Sequence, residues 1–108
     1  MTEERFDEVV NVFLNSIRDT LIVKGKEYRR GGNPFHNFDI GSQRSGLIRE
    51  KVLDGFLLKH EISIADITNY LEKCILHKIS TLDEKFGDNV IYLILKMASI
   101  IDKIENTD

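Results

Sequence analysis

One cysteine, one proline and no long apolar run set the first limits on this chain. With Cys74 alone, no disulfide can close within the chain and no cysteine-rich zinc site can be built. Cys74 lies in an apolar helical pattern, which predicts a buried structural thiol rather than a nucleophile, and a reducing cytoplasm is the expected compartment. No stretch approaches the roughly 18 to 20 apolar residues that a membrane span needs. The N-terminal MTEERFDEVV is acidic where a signal peptide would be basic and then apolar, so no signal peptide is expected. Strand signals, internal repeats and low-complexity segments are also missing. There is no P-loop, Rossmann fingerprint, nucleophile elbow or zinc pattern.

What is present suits a single all-α domain spanning residues 1–108. A hydrophobic content of 42% is enough for a packed core. The net charge of −3 is unevenly spread. From Lys24 to Lys51 seven cations face three acids, and the remainder carries the opposite balance. A local basic segment on an acidic chain argues against wrapping an extended nucleic acid, which favours a long basic face. It suits a small anion such as a phosphate, or else a solvated charged loop.

Three helical segments are expected. The first runs from about Thr2 to Val23, with Phe6, Val9, Val10, Phe13, Leu14, Ile17, Leu21 and Ile22 recurring at three and four. Glu3, Glu4, Asp7 and Glu8 suit the positive end of its dipole, and Gly25 is the expected stop. The second starts near Ser45 or Gly46, and its stripe runs from Leu47 through Phe56 and Ile64 to Cys74 or Ile75. One helix of about 30 residues and about 45 Å is preferred to two helices broken at Glu61–Ser63. That length exceeds the roughly 26 Å diameter of a compact domain of this size, so an oligomer is inferred. The third opens on the capping box Thr81-Leu82-Asp83-Glu84. Its main stripe is Leu82, Phe86, Val90, Leu93, Met97, Ile100 or Ile101, and Ile104. A second stripe runs Ile91, Tyr92, Leu95, Ala98. A helix apolar on two faces is central or lies at a subunit interface. Three long helices or four shorter ones make up the expected bundle.

The segment KGKEYRRGGNPFHNFD, Lys24 to Asp39, interrupts this pattern as a basic, aromatic loop. Tyr28, Phe35 and Phe38 can serve as its own core. Alternatively, rings beside Arg29 and Arg30 can stack on a base while the guanidinium groups hold phosphate. Asn37 offers a donor and an acceptor to a base edge or a turn. Elsewhere, polar residues interrupt apolar faces. Asp88 heads the second stripe of the last helix, where a carboxylate needs a cation, a metal or another donor. Glu50 and Asp54, four apart, point from one helix face. Paired hard oxygens of this kind suit Mg²⁺, and also occur on solvated faces. His60 falls on the continuing stripe of the middle helix beside Lys59, as a satisfied core histidine or as a phosphate contact.

Lys26-Glu27-Tyr28 followed by Asn33-Pro34-Phe35-His36-Asn37-Phe38 resembles a signature of small phage and prophage proteins. Those are related in turn to the MazG-like, all-α nucleotide pyrophosphohydrolases. Lys59-His60 before Ile-Ser-Ile, and Glu84-Lys85-Phe86-Gly87-Asp88-Asn89 with Tyr92, extend the resemblance from Lys24 to about Asp102. It implies an oligomeric helical bundle in a bacterial host cytoplasm, binding a nucleotide through Lys26, Tyr28, Arg29, Arg30, Asn37, Lys59 and His60. In active relatives an E-E-x-x-E helix and an E-x-x-D helix hold Mg²⁺, and the metal activates water to cleave between the α and β phosphates. Here Asp88 matches the last acid, while Glu50 and Asp54 stand for the other helix without completing its motif. The resemblance therefore leaves two expectations: Mg²⁺-dependent pyrophosphohydrolysis through Glu50, Asp54 and Asp88, or retention of a nucleotide or cyclic-nucleotide immune signal without turnover, as an anti-defence protein.

Overall fold

The computed structural model describes residues 1–23, 25 and 29–107. Helix α1 spans Glu3–Arg18 and continues into a single π-helical turn, Asp19–Val23. Then come α2, His36–Ser45; α3, Arg49–Glu72; and α4, Ile79–Glu105. Among the described residues there is no strand, and no helix is long and apolar enough to cross a membrane. The chain falls into two compact units, Met1–Pro34 and Phe35–Asp108, dividing inside the expected loop.

In the first unit the Thr2 hydroxyl accepts the Arg5 backbone N–H at 3.1 Å, satisfying one of the free donors of the first turn. Ile17 is buried, whereas Phe6 and Leu14 stay exposed. Downstream, Gly31 and Gly32 both take positive φ, at 61° and 74°. This suits glycine and closes a tight turn in which Asn33 N–H donates to Arg30 C=O at 3.1 Å.

The second unit carries a helix that the sequence pattern does not reveal. HNFDIGSQRS has few apolar residues, and the stretch up to Asp39 is expected to be loop. It becomes α2 because Phe35, Phe38 and Gly41 hold it to the helices behind. Gly41 comes so close to α3 that an added Cβ would lie 3.0 Å from Val52. Gly46, at φ 74°, closes α2, and Ser42 Oγ donates to Leu47 C=O across the corner at 2.6 Å. Helix α3 starts three residues later, at Arg49, and runs unbroken through Glu61–Ser63, as one helix of 24 residues.

The turn after α3 departs from expectation twice. Cys74 is exposed rather than buried. It adopts φ 60°, the left-handed position that ends a helix, with its N–H on Leu71 C=O at 2.9 Å and that of Ile75 on Tyr70 C=O at 2.9 Å. This is the Schellman pattern, with cysteine where glycine is usual. The expected capping box is also unused: α4 begins at Ile79, after Lys78 in extended conformation, with no side-chain cap. Two extra residues ahead of Thr81 put it inside the helix.

Helices α3 and α4 run antiparallel, as the pairs Glu50–Ser99, Asp54–Lys96 and His60–Tyr92 show. Leu53, Leu57 and Phe35 are the buried apolar side chains of this unit. Of the two apolar stripes on α4, the weaker one faces α3 through Tyr92, and the stronger one faces solvent at Phe86, Leu93, Met97, Ile100 and Ile104.

Candidate functional site

The antiparallel pairing sets two clusters side by side along α3 and α4. The first is ionic. Arg49, at the start of α3, donates from Nε to Ser99 Oγ at 2.6 Å, from Nη2 to Asp102 Oδ2 at 2.9 Å and to Ser99 C=O at 3.3 Å, and from Nη1 to Asp39 Oδ1 at 3.2 Å. The guanidinium carbon stands 4.1 Å from the centre of the Phe35 ring, a cation–π contact. One side chain thus ties α2, α3 and α4 together. Burial works against its charge, but the bonds to Asp102 and Asp39 outweigh that and raise its pKa.

Glu50 is buried beside it. Ser99 Oγ, fully buried, donates to Glu50 Oε2 while accepting from Arg49, and Lys103 Nζ donates to Glu50 Oε1 at 2.9 Å. A hydroxyl can fill both roles at once. The Ser99 bond, against the cost of burial and with help from Lys103, lowers the Glu50 carboxyl to about 2 from 4.5. Next to this network an open depression of about 380 Å³ is lined by Asp39, Arg49, Glu50, Asp102 and Lys103 among others.

The second cluster is aromatic. Tyr92 stacks on Phe56 at 5.3 Å between centroids, with the rings 2° from parallel, and on His60 at 4.9 Å. Phe38 from α2 meets both Phe56 and Tyr92 edge-on, at 5.7 and 6.1 Å. Quadrupoles favour both arrangements. Burial pushes the Tyr92 phenol up, and the charge of Asp88, one turn earlier, adds to this. Phe56 remains 41% exposed, so the group has an open edge. In the same stretch of α4 the buried Asn89 Oδ1 has no hydrogen-bond partner among the described residues.

The candidate residues are placed as follows. Lys26 and Tyr28 lie outside the described residues. Arg29 donates from Nη2 to Leu21 C=O at 2.6 Å, so part of its guanidinium serves the π-helical turn. Arg30 and Asn37 are exposed. Lys59 is exposed on α3, and His60 is the histidine stacked on Tyr92. Phe35 and Phe38 hold α2 to the unit.

Two of the three expected Mg²⁺ ligands, Glu50 and Asp54, meet cations instead. Glu50 is bonded to Lys103 and lies 3.6 Å from Arg49 Nε; Asp54 Oδ1 lies 2.5 Å from Lys96 Nζ. Asp88 stands near Tyr92. Among the described residues no three His, Cys, Asp or Glu side chains are grouped so as to hold a metal ion. Mg²⁺ takes hard oxygens and water, and an ammonium group already on the carboxylates of Glu50 and Asp54 is a poor fit to that need. Sequence reasoning missed Arg49, Ser99, Lys96 and Lys103. Their one visible signal was polarity on an apolar helix: Lys96, Ser99 and Lys103 recur at three and four along α4.

Comparison of the chain with protein-family models, with curated proteins and with solved structures gives no match.

Proposed function

We propose that this chain binds a nucleotide or cyclic nucleotide and retains it without hydrolysis. In this reading it is a phage-type relative of the MazG-like helical pyrophosphohydrolases that sequesters a host immune signal in the bacterial cytoplasm. The observation that carries the reading is the commitment of both candidate ligands on α3 to lysines, Glu50 to Lys103 and Asp54 to Lys96. An acid paired with an ammonium group must give up that pair before it can donate to Mg²⁺, whereas ligand retention asks nothing of it.

The ring group supports the binding half of the reading. The partly exposed Phe56, stacked on Tyr92, offers a platform for a base, and base–aromatic stacking is worth about 1–3 kcal/mol. Lys59, beside His60 on the same helix, supplies a nearby cation for phosphate. Asn37 is proposed as a polar contact. Lys26, Tyr28, Arg29 and Arg30 are proposed as phosphate and base contacts on their chemistry. The resemblance in the NPF and Gly-Asp motifs supports the same class of ligand.

The test is a panel of nucleoside triphosphates and cyclic nucleotides incubated with the protein and Mg²⁺, followed by denaturation and chromatography of what is released. Intact ligand recovered in stoichiometric amount supports retention. Monophosphate with pyrophosphate would show an enzyme, and no binding by any member would remove both nucleotide readings.

A further inference from the structure

The free flank of the α3–α4 pair is an apolar face. On α4, Phe86, Val90, Leu93, Met97, Ile100 and Ile104 follow one another at alternating spacings of four and three, the 3.5-residue repeat of a helix that packs along another helix. Leu93, Met97 and Ile104 are 48%, 58% and 70% exposed. On α3, Gly55, Leu58, Ile62 and Ala65 are spaced in the same way. Leu58 and Ile62 are 57% and 53% exposed, and a Cβ at Gly55 would meet nothing within 4 Å. At about 100° per residue, Leu58 and Ile62 lie roughly a quarter turn from the Glu50–Asp54–Leu57 line that meets α4. They are on the flank away from Val52 and Phe56, which meet α2. The two stripes therefore share one side of the unit.

We infer that this face is the dimer interface of the protein, packed against the same face of a second copy as an antiparallel four-helix layer. Area is the first argument. Helices of 24 and 27 residues, about 36 and 40 Å long and about 10 Å wide each, present about 700–800 Å². A standard interface takes about 800 Å² from each partner, and an exposed apolar patch rimmed by polar residues marks an interaction site. Charge and shape are the second. Lys51 stands at one end of the α3 flank and Asp66 at the other, both exposed, with Leu58 midway. A two-fold axis across the helices near Leu58 and Leu93 sets Lys51 against Asp66 of the second copy. It also sets the gap at Gly55 against Ile62 of the second copy. Asp54 and Lys96, at the edge of the face, already neutralise each other. The inference is independent of any ligand.

The chain has only two methionines, Met1 and Met97, which makes the face directly readable. Sedimentation of the wild-type protein is expected to give twice the 12.5 kDa chain mass. Peroxide should oxidise Met97 far more slowly than the 90% exposed Met1, and dilution should erase the difference. Lys51→Glu should weaken the dimer several-fold, and Lys51→Glu with Asp66→Lys should restore it; both positions are exposed, so the variants fold. A monomer at high micromolar concentration overturns the inference, even with Met97 protected. A dimer whose Met97 oxidises as fast as Met1, or one indifferent to Lys51→Glu, places the interface elsewhere and overturns it equally.

Discussion

Lys96 Nζ lies 2.5 Å from Asp54 Oδ1, across the space between α4 and α3. Two turns further along, Lys103 meets Glu50 in the same way, at 2.9 Å. Two acids that on sequence suit a metal are each answered by an ammonium group from the facing helix, and this repeated answer turns the reading from hydrolysis toward retention.

The two pairs differ in worth. Asp54 and Lys96 are both more than 30% exposed, and such pairs contribute about 0–1 kcal/mol. Lys96→Met should therefore cost less than about 1 kcal/mol in urea unfolding. A loss of several kcal/mol would show that the pair is far better shielded than its exposure indicates.

Ser99 is the opposite case. Its hydroxyl joins Arg49 to Glu50 and is fully buried. Ser99→Ala leaves a carboxylate oxygen and an Nε–H without their partner, which costs about 1–3 kcal/mol. The measurement is the urea midpoint at unchanged slope, with Ser42→Ala at the α2–α3 corner as a milder comparison.

Glu50 also gives the protein a pH dependence. Its folded pKa, about 2, lies below its ordinary 4.5. The ionised form is thus favoured by folding: its contribution is complete above 4.5 and is lost as pH falls toward 2. One pKa unit corresponds to about 1.4 kcal/mol. Because the depression beside Glu50 is open to water, we expect about 1–2 kcal/mol to disappear over that window. Glu50→Gln should flatten this part of the stability curve, and an unchanged curve would remove Glu50 as its source.

Cys74 holds a backbone conformation that costs a non-glycine residue about 1 kcal/mol or more. Cys74→Gly should raise stability by about 0.5–1 kcal/mol, the extra freedom of glycine in the unfolded chain taking back part of the gain. The exposed thiol should also react with a disulfide reagent at once, without denaturant.

How far the sequence pattern reached depended on the range of the interaction concerned. The stripes from Phe6 to Leu21 and from Leu53 to Leu71 marked α1 and α3 because helical periodicity is local. Helix α2 was hidden, since its support comes from Val52 and Phe56, residues outside it. The capping box at Thr81 was a sound local signal overridden by two preceding residues that joined the helix. Cys74 looked buried by period, but a glycine-like turn took it out of the helix. The spacing of Glu50 and Asp54 put both on one face, and both do face α4. What they face depends on residues 42 to 53 positions away, in a register set by the turn between the helices, and no local pattern encodes that. For the same reason the pattern showed two stripes on α4 but not which of them lies inside.

If the ring group holds the base, Phe56→Leu should weaken nucleotide binding by about 1–3 kcal/mol, which is 5- to 150-fold, while helicity stays unchanged because Phe56 is partly exposed. Titration calorimetry with a ligand found in the panel gives the value, and equal affinity in the variant would move the base away from Phe56.

The most direct measurement for retention without hydrolysis is phosphorus NMR of a stoichiometric mixture of protein, bound nucleotide and Mg²⁺, followed over hours. The account predicts phosphate resonances shifted and broadened by the protein and unchanged in number throughout. A growing pyrophosphate signal would contradict retention, and spectra identical to those of the free nucleotide would contradict binding.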